Sequence, residues 1–283
     1  MGEYFFLNGE IIKAKNAFLH ITDLALLRGF GIFDFCRTQN GVPLLIDKYI
    51  SRFHNSAGYV DLKIPYSKDE IMEFISALLK KNGIREAGIR MVMTGGYTEN
   101  GYTPGNPNFF ILIERINFPP QDLYENGIKL HFLEHQRELS HIKSINYLTP
   151  ISIRNTLLKK GAYDVLYHSK GNVLEVSRSN IFIVRNNTVI TPRKNILPGI
   201  TRSTVLGLAR EFFQVEEREI PVGELFKAEE VFMTGTTKRV LPVRQIDDHM
   251  INYGKPGSIT QKLKSLYSDF ENSYSTIHYS GGQ

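Results

Sequence analysis

The sequence predicts a mixed α+β fold in two units, a smaller one followed by a larger, strand-rich one. Three observations carry that expectation. Short apolar runs bounded by Asn-Gly turns mark strands from the start of the chain. Amphipathic stretches with capping residues are interspersed among them. At 283 residues the chain exceeds the usual size of one hydrophobic core. Asn117-Phe118-Pro119-Pro120 offers a linker at about residues 117–123, because consecutive prolines break both helix and ladder. The expected division is a small α+β domain over 1–118 and a larger domain over 119–283.

Taken in order, Tyr4 to Leu7 and Glu10 to Lys13 flank Asn8-Gly9, a two-residue hairpin signal. Ile32 to Thr38 alternates and meets a second Asn-Gly turn at Asn40-Gly41, and Val42 to Ile46 reads as the returning strand. A helix is expected from Asp47 to Gly58, with Tyr49, Ile50, Phe53 and Ala57 on one face. Ser67-Lys68-Asp69-Glu70 is a capping box for a helix that Gly83 should stop. Strands follow at Ile89 to Thr94 and Phe109 to Glu114. In the second half, strands are expected at Ile128 to Glu134, Asp164 to His168, Val173 to Val176, Ile181 to Val184, Val189 to Thr191 and Glu230 to Thr234. Helices are expected over Thr149 to Lys160, Thr201 to Phe213 and Ile259 to Phe270, with a frayed tail from Tyr274 to Gln283.

Composition narrows the function classes. Hydrophobic residues at 42% and charged residues at 22% describe an ordinary globular chain. The longest apolar runs, such as Phe109 to Ile113, fall far short of the ~20 residues of a spanning helix. No membrane association is expected, and no signal-peptide pattern opens the sequence. The net charge of +5 comes from scattered lysines and arginines rather than a stripe with interleaved aromatics, which argues against nucleic acid. A mild basic excess suits a phosphorylated cofactor and carboxylate substrates. Cys36 is the sole cysteine, so no intrachain disulfide and no cysteine metal site can form, and a cytoplasmic location is expected.

Four segments could carry chemistry. Lys143 lies in Ser140-His141-Ile142-Lys143-Ser144-Ile145-Asn146-Tyr147-Leu148, an extended-looking stretch in which strand periodicity puts Lys143, Ile145 and Tyr147 on one face. A lysine in partly apolar surroundings loses proton affinity, as a Schiff-base lysine requires. Taken singly, such a lysine reads as an edge-strand side chain reaching water. Glu175 sits among apolar residues in Val173-Leu174-Glu175-Val176-Ser177-Arg178-Ser179-Asn180. If buried it needs a partner, either a ligand or Arg178. Ile196-Leu197-Pro198-Gly199-Ile200-Thr201-Arg202 leads from a turn into a helix, whose first N–H groups can hold a phosphate. Met233-Thr234-Gly235-Thr236-Thr237 is a Gly/Thr turn that could bind a second anionic oxygen. Arg52, on the first long helix, could add a cation or simply face solvent.

In this order the Lys-x-x-Asn-Tyr-Leu segment, the Glu-x-x-x-Ser-Asn strand, the Leu-Pro-Gly-Ile-Thr-Arg turn and the Gly-Thr-Thr turn resemble the class IV pyridoxal 5′-phosphate (PLP) aminotransferases. That family includes branched-chain aminotransferases, D-amino-acid aminotransferases and aminodeoxychorismate lyases. The resemblance covers nearly the whole chain, including Gly29-Phe30-Gly31-Ile32-Phe33-Asp34. It implies the family fold, with a small α+β domain, a larger strand-rich domain and PLP in the cleft between them. It also implies a homodimer in which the Leu24 to Gly31 loop completes the partner's site. On the same ground Lys143 would hold the cofactor and shuttle the proton, Glu175 would pair with the pyridine nitrogen, and Tyr147 would reach the phenolic oxygen. Arg52, Ile200, Thr201 and Thr237 would hold the phosphate, Leu197 would pack on the ring, and Asn180 and Thr236 would belong to the cofactor site. Phe33 matches a substrate-pocket aromatic.

The sequence also departs from the family pattern. The loop Gly95 to Pro104 lacks the Arg-x-His pair of many D-amino-acid enzymes, and Lys238-Arg239 follows the Gly-Thr turn where branched-chain enzymes carry small or acidic residues. The substrate carboxylate needs another grip, and Arg28, Arg90 and Arg178 are the candidates. The expectation is a transaminase for D-amino acids and 2-oxo acids. Branched-chain L-amino acids and an aminodeoxychorismate-type lyase are the alternatives.

Overall fold

The computed structural model describes residues 1–278, which divide into two units. Among the described residues, the first comprises Met1–Asn117, the short stretch Ile142–Asn146 and residues 271–278. The second comprises Phe118–His141 and Tyr147–Phe270. The division is spatial, so the chain passes between the units more than once rather than at a single linker.

In the first unit, β1 (Tyr4–Leu7), β2 (Glu10–Lys13), β3 (Gly31–Gln39), β4 (Val42–Pro43), β5 (Ala87–Thr94) and β6 (Phe109–Arg115) form an antiparallel sheet in the order β2-β1-β6-β5-β3-β4. The short helix α1 (Leu24–Arg28) precedes β3. Asn8 and Gly9 take the left-handed conformations that a tight hairpin demands. Ile32, Asp34 and Cys36 lie on one face of β3, buried with the inner faces of α2 (Ile46–Tyr59) and α3 (Lys68–Asn82). The expected stripe of Tyr49, Ile50, Phe53 and Ala57 is buried on α2. Ser67 and Glu70 exchange both bonds of the capping box, and Gly83 closes α3 in a left-handed C-cap. The opposite face carries Phe33, Phe35, Arg37, Arg90 and Glu114.

In the second unit, β7 (Ile128–Glu134), β8 (Asp164–Ser169), β9 (Asn172–Val176), β10 (Ser179–Arg185), β11 (Thr188–Thr191), β12 (Gln214–Glu217), β13 (Ile220–Pro221), β14 (Glu230–Gly235), β15 (Arg239–Ile246) and β16 (His249–Met250) share one sheet. Because β9 pairs back onto β10, the strands β10-β14-β15-β7-β8-β9 close on themselves. Alternation along β10 sends Ile181 and Ile183 to one apolar core and Phe182 and Val184 to another. Helices α4 (Gln121–Asn126), α5 (Leu148–Ser152) and α6 (Arg154–Lys159) precede α7 (Ile200–Arg210), whose Val205 and Leu206 share the second core with Leu263 and Tyr267 further along the chain. No helix among the described residues is long and apolar enough to cross a membrane.

Several expectations need correction. The strand foreseen at Val42 to Ile46 stops at Pro43, and Leu45 turns left-handed to start the helix at Ile46. The helix foreseen over Thr149 to Lys160 is two short helices, Leu148–Ser152 and Arg154–Lys159, hinged at Ile153. There the Ser152 hydroxyl donates to the Thr149 carbonyl at 2.9 Å, a local bond that competes with helix continuation. Strand β15 escapes the sequence pattern because Pro242 interrupts it; its ladder to β7 begins only at Val243. The frayed tail is corrected as far as Ile277, since one helix runs over Ser258–Ile277, and residues 279–283 lie outside the described residues.

Candidate active site

The Lys143 segment is not the strand its spacing suggests. It makes a single bridge, Ser144 to Ile32. The Phe33 N–H donates to the Lys143 carbonyl at 2.8 Å, and the Ile145 N–H to the Gly31 carbonyl at 3.1 Å. Gly31 makes this docking feasible, because a Cβ there would lie 2.7 Å from the Met93 carbonyl oxygen and 3.0 Å from Ile145 Cδ1. Ile142 is buried, and the Lys143 ammonium lies 4.4 Å from the centre of the Phe33 ring. The alignment of Lys143, Ile145 and Tyr147 on one strand face does not hold. Tyr147 belongs to the second unit, where it begins the Leu148–Ser152 helix.

The other charged candidates of the first unit are already engaged. Arg52 is not an exposed helix arginine: its Nε and Nη2 donate to the two oxygens of buried Asp34 at 2.9 and 2.7 Å. Asp34 also accepts the Phe35 N–H. Arg90 forms a forked pair with Glu114 and lies 5.3 and 5.0 Å from the centres of the Phe33 and Phe35 rings. Arg28 is exposed at the end of α1, donating to the Leu27 carbonyl at 3.2 Å. Cys36 is fully buried, and burial followed by the neighbouring Asp34 carboxylate pushes its thiol well above the usual range, so it is inert.

The second unit holds the other candidates at one end of its sheet. Glu175 and Asn180 are cross-strand partners on β9 and β10. The Glu175 carboxylate accepts the Leu197 N–H at 2.9 Å, and the Asn180 amide donates to the Leu197 carbonyl at 2.9 Å. This clamp on both ends of Leu197 fixes the Leu197-Pro198-Gly199 turn, where a Cβ at Gly199 would stand only 2.0 Å from Asn180 Oδ1. The turn delivers Ile200 and Thr201 to the start of α7, where no side chain caps the first N–H groups. Arg202 faces away, bonded to Thr191, Pro192 and Glu217. Thr236 and Thr237 lie in the turn that joins β14 to β15. Because Asn180 pairs with Thr234, this turn neighbours the Ser177-Arg178 turn between β9 and β10.

Glu175's ion-pair partner is Arg137, not the foreseen Arg178, with Arg137 Nε 2.8 Å away and its Nη2 on the Ser140 carbonyl. Arg178 is half-exposed and faces Asp164 at 3.7 Å. Sequence reasoning misses Arg137, Asp34 and Glu114, since no local pattern marks a residue whose partner lies in a distant strand. Lys238 gives one signal, its departure from the family pattern. Burial, followed by the Arg178 cation, pushes its amine down to about 8, with Asp164 acting in the opposite sense. Tyr167 is buried with an unpartnered hydroxyl, which burial and then Asp164 push up from the ordinary phenol range.

These groups fit a phosphorylated heteroaromatic cofactor. The uncapped start of α7 suits a phosphate. The buried hydroxyls of Ser179 and Thr234 have no partner, which leaves donors for an anion or water. Glu175 is a buried carboxylate held in place by the Arg137 cation and a backbone N–H, the acidic type of group that a protonated ring nitrogen calls for.

Comparison with known proteins shows the family to which the chain belongs. The family model described as amino-transferase class IV matches residues 31–246. A Methanocaldococcus jannaschii protein named, provisionally, as a branched-chain-amino-acid aminotransferase is 34% identical over 93% of this chain and 95% of its own length. A D-alanine aminotransferase of Staphylococcus aureus is 30% identical over 96% of this chain and 99% of its own. In fold, the branched-chain amino acid aminotransferase of Escherichia coli superposes with a TM-score of 0.91 at 24% identity, covering 99% of this chain and 98% of that one. The T.th. branched-chain amino acid aminotransferase, solved with pyridoxamine 5′-phosphate, gives a TM-score of 0.89 at 24% identity, covering 98% and 97%. The chain therefore belongs to the class IV aminotransferase family.

Proposed function

We propose that this aminotransferase uses PLP held by Lys143 to move an amino group between an amino acid, with D-amino acids favoured, and a 2-oxo acid. The observation that carries the reading is the Glu175–Asn180 clamp on Leu197, which joins a buried carboxylate to an uncapped helix start. When bound, PLP would supply the electron-withdrawing ring on which amino-group transfer depends. Lys143 holds the cofactor and carries the proton at the substrate Cα. Its amine stands beside the Phe33 ring, in the partly apolar setting that such a task needs. Glu175, backed by Arg137, holds the pyridine nitrogen, and Tyr147 the phenolic oxygen. Backbone N–H groups at Ile200 and Thr201, with the side chains of Thr236, Thr237 and Arg52, hold the phosphate. Leu197 packs on the ring, and Asn180 keeps it in position. Arg28, Arg90 and Arg178 supply cations for the substrate carboxylate, and Phe33 walls the substrate pocket.

Branched-chain L-amino acids are the second reading, favoured by the names of the M. jannaschii relative and the E. coli structure. Borohydride should bleach the yellow protein and fix the cofactor on Lys143. A reduced adduct mapped to another lysine overturns the cofactor assignment. A spectroscopic screen of D- and L-amino acids then decides the substrate: rapid conversion by L-leucine without conversion by D-amino acids excludes D preference.

The quaternary reading is a homodimer. Leu26 and Leu27 of α1 are exposed at 70% and 41%, as are Phe18 and Ile21 just before it at 75% and 71%, apolar surface that a lone chain leaves wet. Leu24, from the same stretch, packs inside its own unit at 2%. Light scattering under assay conditions should give twice the chain mass, and a fully active monomer overturns the reading.

A further inference from the structure

Within the first unit, one face of the sheet places Lys143, Phe33, Arg90 and Glu114 in sequence. The Phe33 ring has the Lys143 ammonium 4.4 Å from its centre and the Arg90 guanidinium carbon 5.3 Å from it. Arg90 is also stacked over Phe35, 5.0 Å from that ring's centre. Phe35 can lie there because Gly88, two residues along β5 from its ladder partner Arg90, has no side chain: a Cβ there would stand 2.6 Å from the ring. Two rings therefore hold the flat guanidinium in place. Glu114 meets it edge-on through both oxygens, in the geometry an arginine offers to any carboxylate.

The pair is neither sealed nor fully solvated, since the Arg90 side chain is 33% exposed and that of Glu114 18%. An ion pair this open gains little net stability over its separated, hydrated groups. An incoming carboxylate can offer Arg90 the same two acceptors that Glu114 does. The rings would keep the guanidinium in position during such an exchange, so little ordering cost would fall on the newcomer.

We propose that Glu114 is an internal competitor for Arg90, and that a carboxylate of the amino or oxo acid binds by taking Arg90 over from it. The proposal rests on the reading of Lys143 as the reactive lysine, because it is proximity to that amine that makes Arg90 a substrate group. Glu114 then sets substrate affinity without touching the cofactor. It keeps Arg90 neutralised in the resting enzyme and lowers the affinity for every substrate whose carboxylate uses this arginine.

The test uses the holoenzyme and two non-reacting ligands, hexanoate and glutarate, titrated by calorimetry into wild type, Glu114→Gln, Arg90→Ala and the double variant. Glu114→Gln should bind roughly fivefold tighter, the equivalent of about 1 kcal/mol of lost competition. Arg90→Ala should bind more weakly, and Glu114→Gln should have no effect in the Arg90→Ala background. Tighter binding of both ligands assigns the substrate's α-carboxylate to Arg90; tighter binding of glutarate alone assigns a side-chain carboxylate. Steady-state KM should fall in Glu114→Gln by more than kcat changes. If Glu114→Gln loses thermal stability, Glu114→Met, which can pack on Phe35, repeats the test. Weaker or unchanged ligand binding by folded Glu114 variants overturns the proposal. Borohydride mapping on the same samples keeps the two ideas apart, since an adduct on Lys143 with no gain in carboxylate affinity removes only the role of Glu114.

Discussion

Two arginine–glutamate pairs on the same face of one sheet have opposite characters. Arg37 and Glu271 are each 1% exposed, and Arg37 is further fixed by the Thr38 carbonyl and Gln39. Glu271 comes from the last long helix, and Asn272 and Ser275 follow it onto Gln39 and Asn40. Arg90 and Glu114 have the same chemistry but stand open against two aromatic rings. Breaking a buried pair strands a charge away from water, whereas breaking an open one hands both groups to solvent. The first pair is thus a clamp for the chain's end, and the second is available to a ligand. In the second unit Arg137 and Glu175 lie between these extremes, at 15% and 5%. Their burial keeps the carboxylate in place.

The largest effect should come from Glu175→Gln. The amide can still accept the Leu197 N–H, so α7 should start where it does now and PLP should still bind. If Glu175 is the counter-ion of the ring nitrogen as proposed, removing its negative charge should slow transamination by orders of magnitude. Near-normal turnover in a stopped-flow assay would make Glu175 a structural strand residue and place its pair beside Arg37–Glu271.

Arg37→Ala should be the largest effect on stability. Leaving Glu271 buried without its cation should cost about 3–5 kcal/mol in chemical denaturation. Replacing both members with apolar residues of similar volume should recover most of that loss. A small loss in Arg37→Ala would mean that water reaches Glu271, contrary to its burial.

Lys238 tests a partly buried charge of the other kind, one with no carboxylate at ion-pair distance among the described residues. Its folded amine titrates at about 8 against an ordinary 10.5, so the folded chain binds fewer protons than the unfolded chain between those values. Stability should therefore rise with pH across that window, and the cost of the buried charge should be fully felt below about 8. Lys238→Met should stabilise the protein at pH 7 by on the order of 1–3 kcal/mol and flatten the dependence. Equal slopes in wild type and variant, measured by denaturation at pH 7 to 10, would show that Lys238 is solvated.

What the sequence revealed follows the range of the interactions. The Asn8-Gly9 hairpin, the Ser67–Glu70 capping box and the α2 stripe were legible because each depends on residues within a turn or two of one another. The order of the site motifs was legible through family resemblance. The partners that charge those motifs were not: Arg137 reaches Glu175 across 38 positions, Asp34 reaches Arg52 across 18, and Glu114 reaches Arg90 across 24. Strand pairing brings Glu114 to Arg90, and the packing of α2 on β3 brings Arg52 to Asp34. The Lys143 segment misled for the same reason, since its extended look comes from one bridge to β3 rather than from a strand of its own.

Arg90→Ala should have the smallest effect of the four on stability, and it tests the opening contrast most sharply. The variant releases Glu114 to solvent at its 18% exposed site, so the melting temperature should change far less than in Arg37→Ala. Loss of a charge-assisted contact to a substrate carboxylate should raise KM about tenfold or more, with PLP binding intact. Arg90→Lys should restore part of the charge but not the fork or the stacking on Phe33 and Phe35, and so recover KM only in part. An unchanged KM together with a melting loss as large as that of Arg37→Ala would make both pairs structural. The difference in exposure between them would then carry no functional meaning.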